Sequence, residues 1–186
     1  MTNRNIVLDR SSTALLLIDV QEALFLRVER GLDVLDAIEK VIEGFKILNL
    51  PIVVSEQYPK GLGETVDCLK TCLGEAYRPW VKTSFSCFDD PLLKKHLLES
   101  PCHQWVLVGI EAHVCVLQTA KGLLAAGKEV VVLNDAITSR SIYDFSTAIA
   151  EMRDCGARIS SVETILFELL RDSQSPEFKQ ISHLVK

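Results

Sequence analysis

Four short apolar runs, at residues 14–18, 52–55, 105–109 and 130–133, are of strand length and show little alternation of apolar with polar positions. Such runs fit strands covered by helices on both faces, which is the habit of parallel sheets. The stretches between them carry helical spacing. Over residues 29–48, Val34, Leu35, Ile38, Val41, Ile42, Phe45 and Leu48 recur mostly every three or four positions. This predicts one apolar helix face, ending before Pro51. Similar patterns predict helices over 91–98, 114–126, 144–155, 164–170 and 176–184, and two weaker strands are expected at 81–83 and 158–160. Strands alternating with helices imply an α/β fold: a three-layer, doubly wound sandwich around a mostly parallel sheet of about six strands, with right-handed crossovers. Residues 56–80 hold Pro59, Gly61, Gly63, Gly74 and Pro79, and are expected to form one long irregular connection, a candidate substrate lid.

Composition narrows the class. A length of 186 residues suits a single domain over 1–186, and 48% hydrophobic with 24% charged residues excludes a disordered or fibrous chain. No apolar run approaches the roughly 18 to 20 residues that span a bilayer, so no membrane partner is expected. Lys and Arg number 20 against 25 Asp and Glu, and a net charge of −5 repels polyanions, so no nucleic-acid partner is expected either. The six cysteines (68, 72, 87, 102, 115 and 155) and a start, MTNRNIVLDRSS, without a signal-type apolar core point to reduced thiols. A cytoplasmic location follows as the expectation, with a mitochondrial one as the alternative.

In an open parallel sheet the ligand crevice lies beyond the carboxyl ends of the strands. Three chemically capable side chains stand there: Asp19, Lys82 and Cys115. Asp19 ends the run ALLLID, where a carboxylate either caps the next helix or faces a site. Lys82 alone reads as a surface charge. Cys115 follows a turn at Gly109 and opens a helix, where unpaired N–H groups and the neighbouring Lys82 favour a thiolate, so it is expected to ionise more readily than a free cysteine; the alternative is a small buried apolar residue. Gln21, Phe25, Gln57, Trp80 and His113 are candidate pocket residues, His113 being read as a turn or interface residue rather than a base. Asp135 and Arg140 are expected to form a structural pair. Cys68 and Cys72, four residues apart, lack a second ligand pair for a metal.

Asp19 in LLLIDVQEALF, Lys82 in VKTSFSCF and Cys115 in GIEAHVCVLQTA together resemble the isochorismatase-like, or cysteine, hydrolase family over residues 13 to about 184. The segments 134–140 (NDAITSR) and 155–170 resemble its later parts, and SEQYPKGLG resembles the isochorismatase-domain-containing branch. The resemblance implies a Rossmann-like sheet bearing an Asp19–Lys82–Cys115 triad. It also implies a cis peptide before Glu111, and an oxyanion hole formed by the backbone N–H groups of Glu111 and Cys115. Metal-binding nicotinamidases carry Asp-x-His after the second strand, where this chain has Glu56, Gln57 and Tyr58. Neither a metal nor another cofactor is therefore expected.

The expected activity is hydrolysis of a small amide or related C–N bond through a Cys115 thioester. The alternatives are a catalytically silent oligomeric scaffold and an isochorismatase-type vinyl-ether hydrolase, which needs no thiol. The partners implied are a small-molecule substrate and further copies of the same chain. The latter rests on the family and on Val116, Leu117, Ala120, Leu123, Leu124, Ala125, Phe178, Ile181 and Leu184, more apolar positions than one packing stripe needs.

Overall fold

The structure, a computed structural model, describes residues 6–186. Among them, six strands form one sheet: β1 (Thr13–Ile18), β2 (Ile52–Gln57), β3 (Trp80–Lys82), β4 (Gln104–Ile110), β5 (Glu129–Thr138) and β6 (Arg158–Ser160). Their order is β3-β2-β1-β4-β5-β6, and every neighbouring pair is parallel. The chain winds outward from β1 to β3, returns to the centre at β4 and winds out the other way. The switch between β1 and β4 is where such sheets leave a crevice at the carboxyl ends of the strands.

The connections are α1 (Glu22–Phe25), α2 (Gly31–Ile47), α3 (Pro59–Leu62), α4 (Asp67–Leu73), α5 (Pro91–Glu99), α6 (Leu117–Ala125), α7 (Ile142–Asp154), α8 (Val162–Leu170) and α9 (Phe178–Leu184). One π-helical turn, Ala112–Val116, leads into α6. None of these helices is long and apolar enough to cross a membrane. Successive strand residues feed opposite layers. Leu15, Leu17, Val106, Val108, Val131 and Leu133 pack with the α2 face (Val34, Ile38, Val41, Ile42 and Phe45) and with Ile165 and Leu166 of α8. Ala14, Leu16, Ile18, Trp105, Leu107, Val130 and Val132 pack on the other side against α5, α6 and α7. Each central strand is apolar on both faces for this reason.

Three expectations change. Residues 56–80 are not one irregular lid. They contain α3, α4 and a short 3-10 turn, and Val66, Leu69 and Leu73 already showed the helical interval in the sequence. Glu56 Oε1 ties this segment to β2 by accepting hydrogen bonds from Thr65 N (2.7 Å), Thr65 Oγ1 (2.8 Å) and Tyr77 Oη (2.7 Å). The strand expected at 130–133 extends as far as Thr138, past an irregularity in pairing opposite Leu107 and Gly109. The apolar positions offered as surplus are largely used within the chain. Val116, Leu117, Ala120, Leu123 and Ile181 are buried, Leu124, Phe178 and Leu184 pack against the two cores, and Ala125 alone is exposed.

At Gly109 the backbone of β4 leaves no room for a side chain against β1. The glycine's φ is +126°, and a Cβ there would lie 2.0 Å from the carbonyl oxygen of Ile18. Only glycine fits this contact with the residue that precedes Asp19.

Candidate active site

Asp19 follows β1 with φ +52°, and no part of it is exposed. It is not a helix cap. Its backbone N–H donates to the Ser55 carbonyl (3.2 Å), and its carboxylate accepts from the Ser55 hydroxyl at Oδ1 (2.7 Å) and from Lys82 Nζ at Oδ2 (2.6 Å). Lys82 ends β3 and therefore reaches Asp19 across the whole of β2. The parallel register pairs Ser55 with Trp80 and Gln57 with Lys82, so these four residues share one face. Gln57 Oε1 accepts from Lys82 Nζ at 2.8 Å, and the carbonyls of Ser84 and Phe85 accept at 3.2 and 3.0 Å. A lysine that is 1% exposed is thus fully provided with acceptors.

Cys115 enters from the π turn that follows β4, 4% exposed, with its thiol near enough to Asp19 and Lys82 to feel both charges. A cis peptide joins Ile110 to Glu111, four residues before it. Burial, and next the Asp19 carboxylate, push the thiol pKa well up, and Lys82 only partly offsets them. The expectation of a readily ionised thiol is therefore overturned. That expectation weighed the cation and the helix end without the buried carboxylate beside them. For Lys82 burial works against the charge, but Asp19, Cys87 and Cys115 outweigh it and hold its pKa above the ordinary value.

The remaining candidates divide. Gln57 belongs to the cluster. Gln21 is wholly buried and bound to backbone: Nε2 donates to the carbonyls of Gln57 (3.0 Å) and Gly63 (2.6 Å), while Oε1 accepts from Gln57 N (2.7 Å). It clamps the strand ends together instead of facing a pocket. Phe25 packs towards Gly31 and the first core. Trp80 stacks on His96 at 4.9 Å and lines a separate groove of about 690 Å³ with Arg78, Pro79 and Glu75, away from the Asp19 cluster. His113 Nδ1 is 3.0 Å from Ser139 Oγ. Glu111 accepts from Arg140 Nε (2.8 Å), whereas Asp135 caps α8 by accepting from Val162 N (3.0 Å). The expected Asp135–Arg140 pair is thus replaced by two other contacts, because Arg140 lies beyond the end of β5 and Asp135 within it.

Two buried residues were missed. Ser55 looked like strand filling, although its two-residue offset from Gln57 places it on the same face. Cys87 lies in a loop without periodicity, and only the packing of α6 brings it here. Burial, and next Asp19, push its thiol up to about 11. Among the described residues no group of three or more His, Cys, Asp or Glu side chains is arranged to hold a metal ion.

A doubly wound parallel sheet with a buried carboxylate, lysine and cysteine gathered at its switch point defines an α/β protein with a candidate active site at that point. The chain belongs to the isochorismatase family: the family model described as the isochorismatase domain matches residues 13–164. It is 38% identical to human isochorismatase domain-containing protein 2, over 94% of this chain and 83% of that one. It is 37% identical to isochorismatase domain-containing protein 1 of Danio rerio over 90% of this chain, but spans only 59% of that protein. Among solved structures it resembles the MAR1 ribonuclease of Caenorhabditis elegans, with a TM-score of 0.91 and 36% identity over 97% of this chain and 92% of the other.

Proposed function

We propose that this protein, acting as a single domain over 1–186, is a metal-independent cysteine hydrolase of a small amide or related C–N bond. The observation that carries this reading is the 2.6 Å contact between Lys82 Nζ and Asp19 Oδ2, with both side chains withdrawn from water beside the Cys115 thiol. At rest Cys115 is a thiol. Its sulfur attacks the substrate carbonyl as Asp19 takes the thiol proton, and the backbone N–H groups of Glu111 and Cys115 hold the oxyanion. Asp19 returns the proton to the nitrogen, the C–N bond breaks, and the amine leaves a Cys115 thioester. Water, deprotonated by Asp19, then releases the acid and restores the thiol. Lys82 holds the Asp19 carboxylate in place, and no step requires a metal. Glu56, at the position of the nicotinamidase Asp, is committed to Thr65 and Tyr77.

Acyl chemistry explains a buried thiol against a carboxylate, which neither a vinyl-ether hydrolase nor a silent scaffold requires. The name of the C. elegans neighbour favours RNA as a second substrate class. Against it stand the net charge of −5 and a cluster too enclosed for a polymer. Incubation with a panel of small amides, followed by mass spectrometry of the Cys115 peptide, tests the main reading. An acyl adduct on Cys115, trapped by acid quench in the wild type and absent in Asp19→Asn, supports it. Absence of any adduct, together with RNA cleavage that is lost in Cys115→Ala, would replace it with the second.

A further inference from the structure

We propose that Ser55 and Cys87 are positioning residues that hold Asp19 in register with Cys115, through a hydrogen-bonded path anchored on the helix that follows the nucleophile. This rests on the reading of Asp19 as the base for Cys115.

The path has a direction. Ser55 carries one hydroxyl proton and donates it to Asp19 Oδ1 at 2.7 Å, so its oxygen is left to accept. The Cys87 thiol donates to that oxygen at 3.4 Å. Cys87 is itself fixed, since its backbone N–H donates to Thr119 Oγ1 at 2.9 Å. Thr119 lies on α6, four residues and about one helical turn beyond Cys115. Ser55, Cys87 and Thr119 are all fully buried, so water does not compete for these bonds. The groups facing Asp19 are Lys82 from β3, Ser55 from β2, Cys87 from the loop after β3, and Cys115 from the turn after β4.

The consequence is geometric. Asp19 belongs to β1 and Cys115 to the turn after β4, and a base must hold its alignment to a few tenths of an ångström while a proton moves. Cys87 closes a circuit between them: Asp19 to Ser55, Ser55 to Cys87, Cys87 to Thr119, and one turn of helix back to Cys115. Without the Ser55 hydroxyl, Lys82 is the only side chain among these hydrogen bonds that still holds the carboxylate, and it draws Asp19 towards β3 and away from the sulfur.

Deacylation isolates the base from the nucleophile's own ionisation. p-Nitrophenyl acetate is the probe: it loads an acetyl group on Cys115, whose loss is followed by mass spectrometry after the excess ester is removed. Asp19→Asn should slow that loss most. Ser55→Ala should slow it roughly tenfold or more near pH 7, Ser55→Thr should restore most of the rate, and Cys87→Ala should be slower than Cys87→Ser. The gap between wild type and Ser55→Ala should narrow towards pH 10, where hydroxide attacks without Asp19, whereas general structural damage would persist at every pH. Wild-type deacylation in a folded Ser55→Ala or Cys87→Ala, with Asp19→Asn slow, overturns the inference alone. Wild-type deacylation in Asp19→Asn, or no acetyl group on Cys115, overturns the proposed function with it. If Ser55→Ala does not fold, the difference between Cys87→Ala and Cys87→Ser decides.

Discussion

Lys82 spans the width of β2 to place its ammonium 2.6 Å from the Asp19 carboxylate, and neither side chain is reached by solvent. Burying two charges is costly, so such a pair is justified by specificity or chemistry more than by stability. Its members are nevertheless interdependent. Lys82→Met leaves a buried carboxylate with Ser55 as its side-chain donor, and should destabilise the fold by about 3 to 5 kcal/mol. Adding Asp19→Asn should recover part of the loss. Urea denaturation of the two single variants and the double variant measures this, and additive losses would contradict the coupling. The pH dependence has a definite sign. The Lys82 pKa is raised above the ordinary 10.5, so its contribution is complete below that value and is lost as pH rises through the folded-state pKa.

A second prediction concerns Gly109. An alanine there must move the Ile18 carbonyl, 2.0 Å from the added Cβ, while adopting a φ of +126°. Gly109→Ala should therefore cost roughly 4 kcal/mol or more, at the extreme for a single substitution. Any folded fraction should also have a displaced Asp19, the residue after Ile18. Thermal denaturation tests the first part, and deacylation of acetylated Cys115 tests the second. A stable, fully competent Gly109→Ala would refute both.

Asp19, Lys82 and Cys115 were legible because each stands at or just beyond a run of strand character, and a parallel sheet aligns such ends. The sheet itself was legible from unalternating apolar runs, which only two-sided burial explains. Gln57 could be named but not given a role, because its contact with Lys82 depends on the register of a three-residue edge strand. Trp80 misled for the same reason. It shares a face with Lys82 but lies two residues earlier, about 6.6 Å down the strand, where α5 and His96 cover it. Ser55 and Cys87 join the site through contacts 32 or more residues apart in sequence, for which no local pattern exists.

Self-association is a third prediction, now on different grounds. The apolar residues first suspected are mostly buried within the chain, but Leu26, Leu32, Phe85, Ile142 and Tyr143 are exposed, and each lies in a segment that follows the carboxyl end of a strand. Apolar side chains around a crevice mark a surface that another molecule covers. We expect a symmetric homo-oligomer that uses this rim. Light scattering at micromolar concentration should give a mass above the 20.7 kDa monomer, and Tyr143→Ser with Leu26→Ser should lower it. A monomer in the wild type would end the idea.

The last prediction follows from the thiol and runs against the usual picture of an activated cysteine. Burial and the Asp19 carboxylate together raise the Cys115 pKa, while Lys82 pulls it down. Iodoacetamide labelling of Cys115 should therefore keep rising beyond pH 9, without a plateau near the ordinary value of about 8.5. Asp19→Asn removes the negative neighbour and leaves the ammonium. The thiol pKa should then fall, so that more thiolate is present at pH 7 and labelling there becomes faster than in the wild type, roughly tenfold if the pKa drops by about one. Deacylation of acetylated Cys115 should slow in the same variant, because the base has gone. These opposite movements separate the two roles of Asp19, raising the thiol's pKa at rest and accepting its proton when substrate arrives. Labelling that slows in Asp19→Asn, with the fold intact by circular dichroism, would mean that Lys82 does not act on the sulfur as the geometry requires.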